Sequence, residues 1–135
     1  MLEDVSRTCC FFGHREIQES EGLKTRLSLE IERLITTENV HIFLFGSKSR
    51  FDSLCLALVT ALQEKYPHIR RVYVRAEYPV ITDDYRAYVL KSYEETYYPK
   101  GLQQAGRAVY LPTRAMFTVS LGFLMRSTNS VQLFK

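Results

Sequence analysis

Apolar positions in the first 75 residues alternate between short continuous runs and helical periodicities. Arg7 to Phe12 reads as a strand, and Leu23, Leu27, Ile31, Leu34 and Ile35 recur on one face of a helix over Leu23–Ile35. Thr36 to Asn39 is a turn. Val40 to Phe45 is too continuously apolar for a half-exposed strand and fits the centre of a parallel sheet covered on both sides. A second helix runs from Phe51 or Asp52 to Lys65, burying Leu54, Cys55, Leu58, Val59 and Leu62. Pro67 stops it before a third strand over Ile69–Arg75. Strand-helix-strand-helix-strand is the repeating crossover of an α/β domain. The expected fold is therefore an α/β, Rossmann-like three-layer sandwich with a mostly parallel central sheet.

Beyond Pro79 the pattern weakens. Thr82, Asp83 and Asp84 can cap a helix over Tyr85–Tyr93, with Tyr85, Tyr88 and Val89 available for packing. Tyr97-Tyr98-Pro99-Lys100-Gly101 interrupts it, Arg107–Leu111 is a short strand candidate, and Met116–Leu124 can form one more strand. Residues 1–111 read as the α/β domain and 112–135 as an atypical continuation of it, with no final helix legible in the tail.

The two glycine junctions carry the candidate chemistry, because each follows a strand at the end of a parallel sheet where ligands bind. In Phe45-Gly46-Ser47-Lys48-Ser49, Gly46 permits a tight turn, Ser47 and Ser49 offer hydroxyls, and Lys48 offers a mobile cation. Backbone N–H groups at the following helix start suit a phosphate. The competing expectation is capping by Ser49 or Asp52, whose carboxylate can take the same N–H groups. The spacing is not that of a Walker loop. In Gly13-His14-Arg15, Gly13 allows close backbone approach, His14 can meet ribose or phosphate, and Arg15 can form a paired phosphate contact; the alternative is a solvent-facing loop. Glu77 can accept from ribose hydroxyls or serve as an acid, whereas Asp83 and Asp84 fit capping. Tyr78 can stack on a base, and Tyr85, Tyr88, Tyr93, Tyr97 and Tyr98 fit the core or an oligomer interface.

With 135 residues and 46% hydrophobic content, the chain suits one globular domain. A net charge of +3 is modest, so Arg70, Arg71 and Arg75 read as a solvated basic cluster and single-stranded nucleic acid is a secondary candidate partner. Cys9 and Cys10 are adjacent and face opposite sides of a strand; with Cys55 they suit small core residues in a reducing compartment, and no metal cluster is expected. No signal-peptide pattern or long apolar run is present, which leads us to expect a cytoplasmic protein with no membrane partner.

Taken together, Cys10-Phe11-Phe12-Gly13-His14-Arg15 and the block from Phe43 to Cys55 resemble the YpsA-like proteins of the wider SLOG (Smf/DprA and LOG) group. Arg71 to Pro79, Tyr93 to Pro99 and Ala105 to Tyr110 extend the resemblance over about four fifths of the chain. It implies a Rossmann-like sheet and a nucleotide-related ligand bordered by Gly13–Arg15 and the Gly46–Asp52 loop. The proline- and glycine-rich phosphate loop and catalytic glutamate of LOG enzymes are not evident. From Pro112 onward the chain departs from the family pattern, as divergence or as truncation with an altered reading frame; a homo-oligomer would then complete the core. The expected function is binding of a nucleotide or nucleotide derivative such as ADP-ribose or a nicotinamide cofactor, as a sensor or regulator, with the cofactor itself unidentified. The alternatives are an N-glycosidase-like hydrolase of nucleotides or nucleotide-sugars using Glu77, and a ligand-free structural or interaction protein.

Overall fold

The structure, a computed structural model, describes residues 7–12, 19–46, 49–75, 80–97, 117–121 and 130–133. These form β1 (Thr8–Phe12), α1 (Glu21–Thr37), β2 (Ile42–Phe45), α2 (Arg50–Lys65), β3 (Arg70–Val74), α3 (Asp83–Val89), β4 (Glu95–Tyr97), β5 (Phe117–Leu121) and β6 (Ser130–Leu133). The six strands make one sheet in the order β4-β3-β2-β1-β5-β6. Every neighbouring pair is parallel, giving a Rossmann-like α/β sandwich.

Alternation along the strands divides the sheet into two faces. Cys9, Phe11, Phe43, Phe45 and Val119 lie on one, and they form a single buried cluster with Leu23, Leu27, Ile31, Leu34 and Ile35 of α1 and Phe51, Leu54, Cys55, Val59 and Leu62 of α2. Phe11 stacks on Phe45 with ring centroids 5.2 Å apart and on Phe43 at 6.1 Å. Burial of three phenylalanines at the sheet centre contributes roughly 1.5–3 kcal/mol each relative to exposure. Cys10, Ile42, Leu44, Val72 and Val74 occupy the opposite face and are also buried, so the sheet is closed on both sides. This matches the continuous apolar character of Val40–Phe45. The cysteines separate as their alternation requires: Cys9 and Cys55 sit in the helix-side core, where burial pushes both thiols up, and Cys10 is buried across the sheet.

Several boundaries differ from the sequence expectation. α1 begins at Glu21, not Leu23, because the Ser20 hydroxyl accepts from the Leu23 N–H at 3.1 Å and caps the helix two residues earlier. α3 ends at Val89 and does not reach Tyr93; the Leu90 N–H bonds back to Arg86 and the chain turns through Lys91 and Ser92. Of the three α3 residues expected to pack, only Val89 is buried, and Tyr88 is 68% exposed. Tyr93 instead reaches the core edge, 5.2 Å from Tyr73 and 6.2 Å from Phe45 between ring centroids. Two strands, β4 and β6, have no counterpart in the apolar pattern; β5 falls inside the Met116–Leu124 candidate. The Arg107–Leu111 candidate lies outside the described residues. Among the described residues no helix is long and apolar enough to cross a membrane.

Candidate functional site

Because all strands are parallel, β1, β2 and β3 deliver their carboxyl ends to one edge of the sheet. The chain runs from β1 one way through β2, β3 and β4, and the other way through β5 and β6. Strand order therefore reverses between β1 and β5, where open α/β sheets leave a crevice at their carboxyl edge. Gly13 is the first residue after β1. Gly46 is the first after β2, whose backbone lies about 4.8 Å from that of its neighbour in a paired sheet. Gly13, His14, Arg15, Ser47, Lys48 and Glu77 lie outside the described residues, as does Tyr78. Gly46 and Ser49 are described and frame the β2 junction.

At that junction Gly46 has φ 151°, a backbone conformation that side-chain-bearing residues rarely adopt. Its N–H donates to Asp52 Oδ2 at 3.4 Å. Ser49 is the N-cap of α2, its Oγ accepting from the Asp52 N–H at 3.0 Å. Ser49 thus caps the helix while Asp52 ties its first turn back to Gly46, and both are buried, at 9% and 7% exposure. The capping expectation is realised here, with the Asp52 carboxylate turned back onto the glycine N–H. The same carboxylate lies close enough to Tyr93 to act on it: burial first, then repulsion from Asp52, pushes the Tyr93 phenol up to about 12. Tyr93 is therefore a neutral phenol at any physiological pH.

Arg75 stands one residue beyond β3, at the same edge. It is 7% exposed, and its Nε and Nη1 are buried with no hydrogen-bond partner. Burial, and then the positive charge of Arg86, hold its guanidinium below the usual arginine range, with Tyr85 opposing them. No carboxylate of the described residues is paired with Arg75 or Arg86. An unpaired buried guanidinium is costly, since charged groups leave water only when compensated.

The sequence grouped Arg70, Arg71 and Arg75 as one solvated cluster, and the structure separates them. Arg70 pairs with Glu95. Arg71 is held by Glu94 through Nη2···Oε2 at 2.6 Å and Nε···Oε1 at 3.1 Å, and also donates to Thr60 Oγ1 at 3.0 Å. Burial alone would raise the Glu94 carboxyl, but the Arg71 side chain and backbone and Gln63 outweigh it and hold the group below its ordinary value. Only Arg75 reaches the carboxyl edge. The available sequence signal was its position as the last residue of the strand run, immediately before Ala76-Glu77-Tyr78-Pro79.

Among the described residues no group of three His, Cys, Asp or Glu side chains is placed to hold a metal ion. The chain matches no family model, no curated protein and no solved structure.

Proposed function

We propose that the protein binds a nucleotide or nucleotide derivative at the carboxyl edge of its sheet, as a sensor or regulator. The observation that carries this reading is the reversal of strand order between β1 and β5, with the Gly13 and Gly46 junctions following the two adjacent strands β1 and β2. In this reading Gly13 and Gly46 shape the two loops, Arg15, Ser47 and Lys48 contact phosphate, and His14 and Glu77 border the ribose. Ser49 contributes through the turn it caps, because its Oγ already accepts from the Asp52 N–H. The YpsA-like resemblance of the same two sequence blocks supports the assignment.

Calorimetric titration with a panel of nucleotides, ADP-ribose and nicotinamide cofactors tests it. The wild-type chain is expected to bind at least one of them, and an Arg15→Ala, Lys48→Ala double variant to lose at least tenfold in affinity. Equal affinity of the two proteins defeats this assignment of the phosphate contacts.

A further inference from the structure

We infer that Arg75 is a buried oxyanion receptor at the end of β3, built to take the phosphate of a ligand on its guanidinium. One observation carries it and a second is consistent with it. The first is the orphaned guanidinium itself, 7% exposed with two buried donor nitrogens that meet no acceptor. Buried polar groups are satisfied in the great majority of cases, and the exceptions mark binding sites or missing ions. The second is the neighbouring cation: Arg86 of α3 acts on Arg75 by repulsion, and neither is paired with a carboxylate of the described residues. Arg86 is exposed and solvated, so burial of Arg75 is the larger cost, and a bound anion would offset it.

The chemistry of the donors narrows the ligand. A planar guanidinium matches an oxyanion, whose oxygens accept in parallel from two N–H groups, better than it matches a spherical halide. A phosphate group presents three strong acceptor oxygens and carries the charge needed to offset the buried guanidinium. Arg75 directly follows β3, the strand next but one to β1 and about 10 Å from it at the usual strand spacing. The inference stands on its own geometry and extends the nucleotide reading by adding a receptor at β3.

Thermal unfolding of the full chain, with and without inorganic pyrophosphate and against sodium chloride of matched ionic strength, tests the receptor. Pyrophosphate is expected to raise the wild-type midpoint and chloride to leave it unchanged. Arg75→Met keeps the aliphatic stem and removes the charge. It is expected to weaken pyrophosphate binding at least tenfold and, in phosphate-free buffer, to unfold at or above the wild-type midpoint, because it deletes an uncompensated buried charge. Arg75→Lys keeps the charge without the planar fork and is expected to retain only part of the response. The receptor is overturned by an absent wild-type response, by an undiminished response in Arg75→Met, or by an Arg75→Met chain that unfolds well below wild type or does not fold. The last result would mean that the guanidinium supports the fold. Nucleotide affinity unchanged in Arg75→Met while its pyrophosphate response is lost supports the receptor and puts it outside the nucleotide contacts, leaving the nucleotide reading intact. An Arg75-dependent pyrophosphate response in a wild-type chain that binds no nucleotide supports the receptor and removes that reading.

Discussion

The two ends of β3 hold arginines in opposite circumstances. At the amino end, Arg70 and Arg71 meet Glu95 and Glu94 across the β3–β4 pair, and the nearby Lys65 and Tyr66 share the Glu32 carboxylate at 2.8 and 2.6 Å. At the carboxyl end, Arg75 is more deeply buried than any of these cations and has no such acceptor among the described residues. A folded chain gains from closing its charges wherever only stability is at stake. One edge of this sheet is compensated within the chain and the other holds a buried cation with no carboxylate partner among the described residues, so the asymmetry separates the three arginines better than composition does.

The sharpest way to break that comparison is to make the same substitution at both ends. Arg71→Met strips Glu94 of its charged hydrogen bonds and is expected to lower stability by about 1.5–3 kcal/mol. Urea unfolding read by circular dichroism measures it, and a loss no greater than that of Arg75→Met would erase the distinction. At the carboxyl edge, Gly46→Ala forces a side chain into φ 151° and is expected to cost about 1–2 kcal/mol in the same assay. A neutral result would mean that the junction relaxes freely and is not a rigid platform. Ser49→Ala removes the Oγ that accepts from Asp52 and is expected to cost about 1 kcal/mol, with Ser49→Asp close to wild type.

The smallest effect is a pH dependence at the compensated end. The folded Glu94 carboxyl lies below its ordinary value of 4.5, so its contribution is complete above that value and is lost as pH falls through the depressed one. Thermal midpoints measured from pH 6 down to pH 3 should therefore fall less steeply in Glu94→Gln than in wild type. Parallel slopes would assign the acid sensitivity to other carboxylates.

How much of this was legible in advance follows from where the physical signal lies. β1, α1, β2, α2 and β3 announce themselves because burial on one or both faces demands an apolar run or a 3.6-residue period, as in Ile42–Phe45 and Leu23–Ile35. β4 is three residues, Glu-Thr-Tyr, held in place by a partner strand and by Arg70 on Glu95, and no local preference reveals it. β6 is likewise defined by its pairing with β5. The start of α1 was misplaced because Glu21 and Gly22 carry no apolar signature, although Ser20 was a readable cap. At the candidate site, Gly46 and the capping alternative for Ser49 were visible. Arg75 was not, since its distinction from Arg71 depends on which strand end faces a carboxylate.

The placement of β1 also governs when the molecule can be finished. One side of β1 meets β2 soon after synthesis, but its other side is filled only by β5, with Phe11 opposite Val119. The central seam of the sheet thus closes by one of the longest loops the chain can make, a contact that carries a large entropic penalty and slows folding. Until it closes, the nascent chain exposes an unpaired edge at its own centre, and that interval is when aggregation competes most strongly with completion.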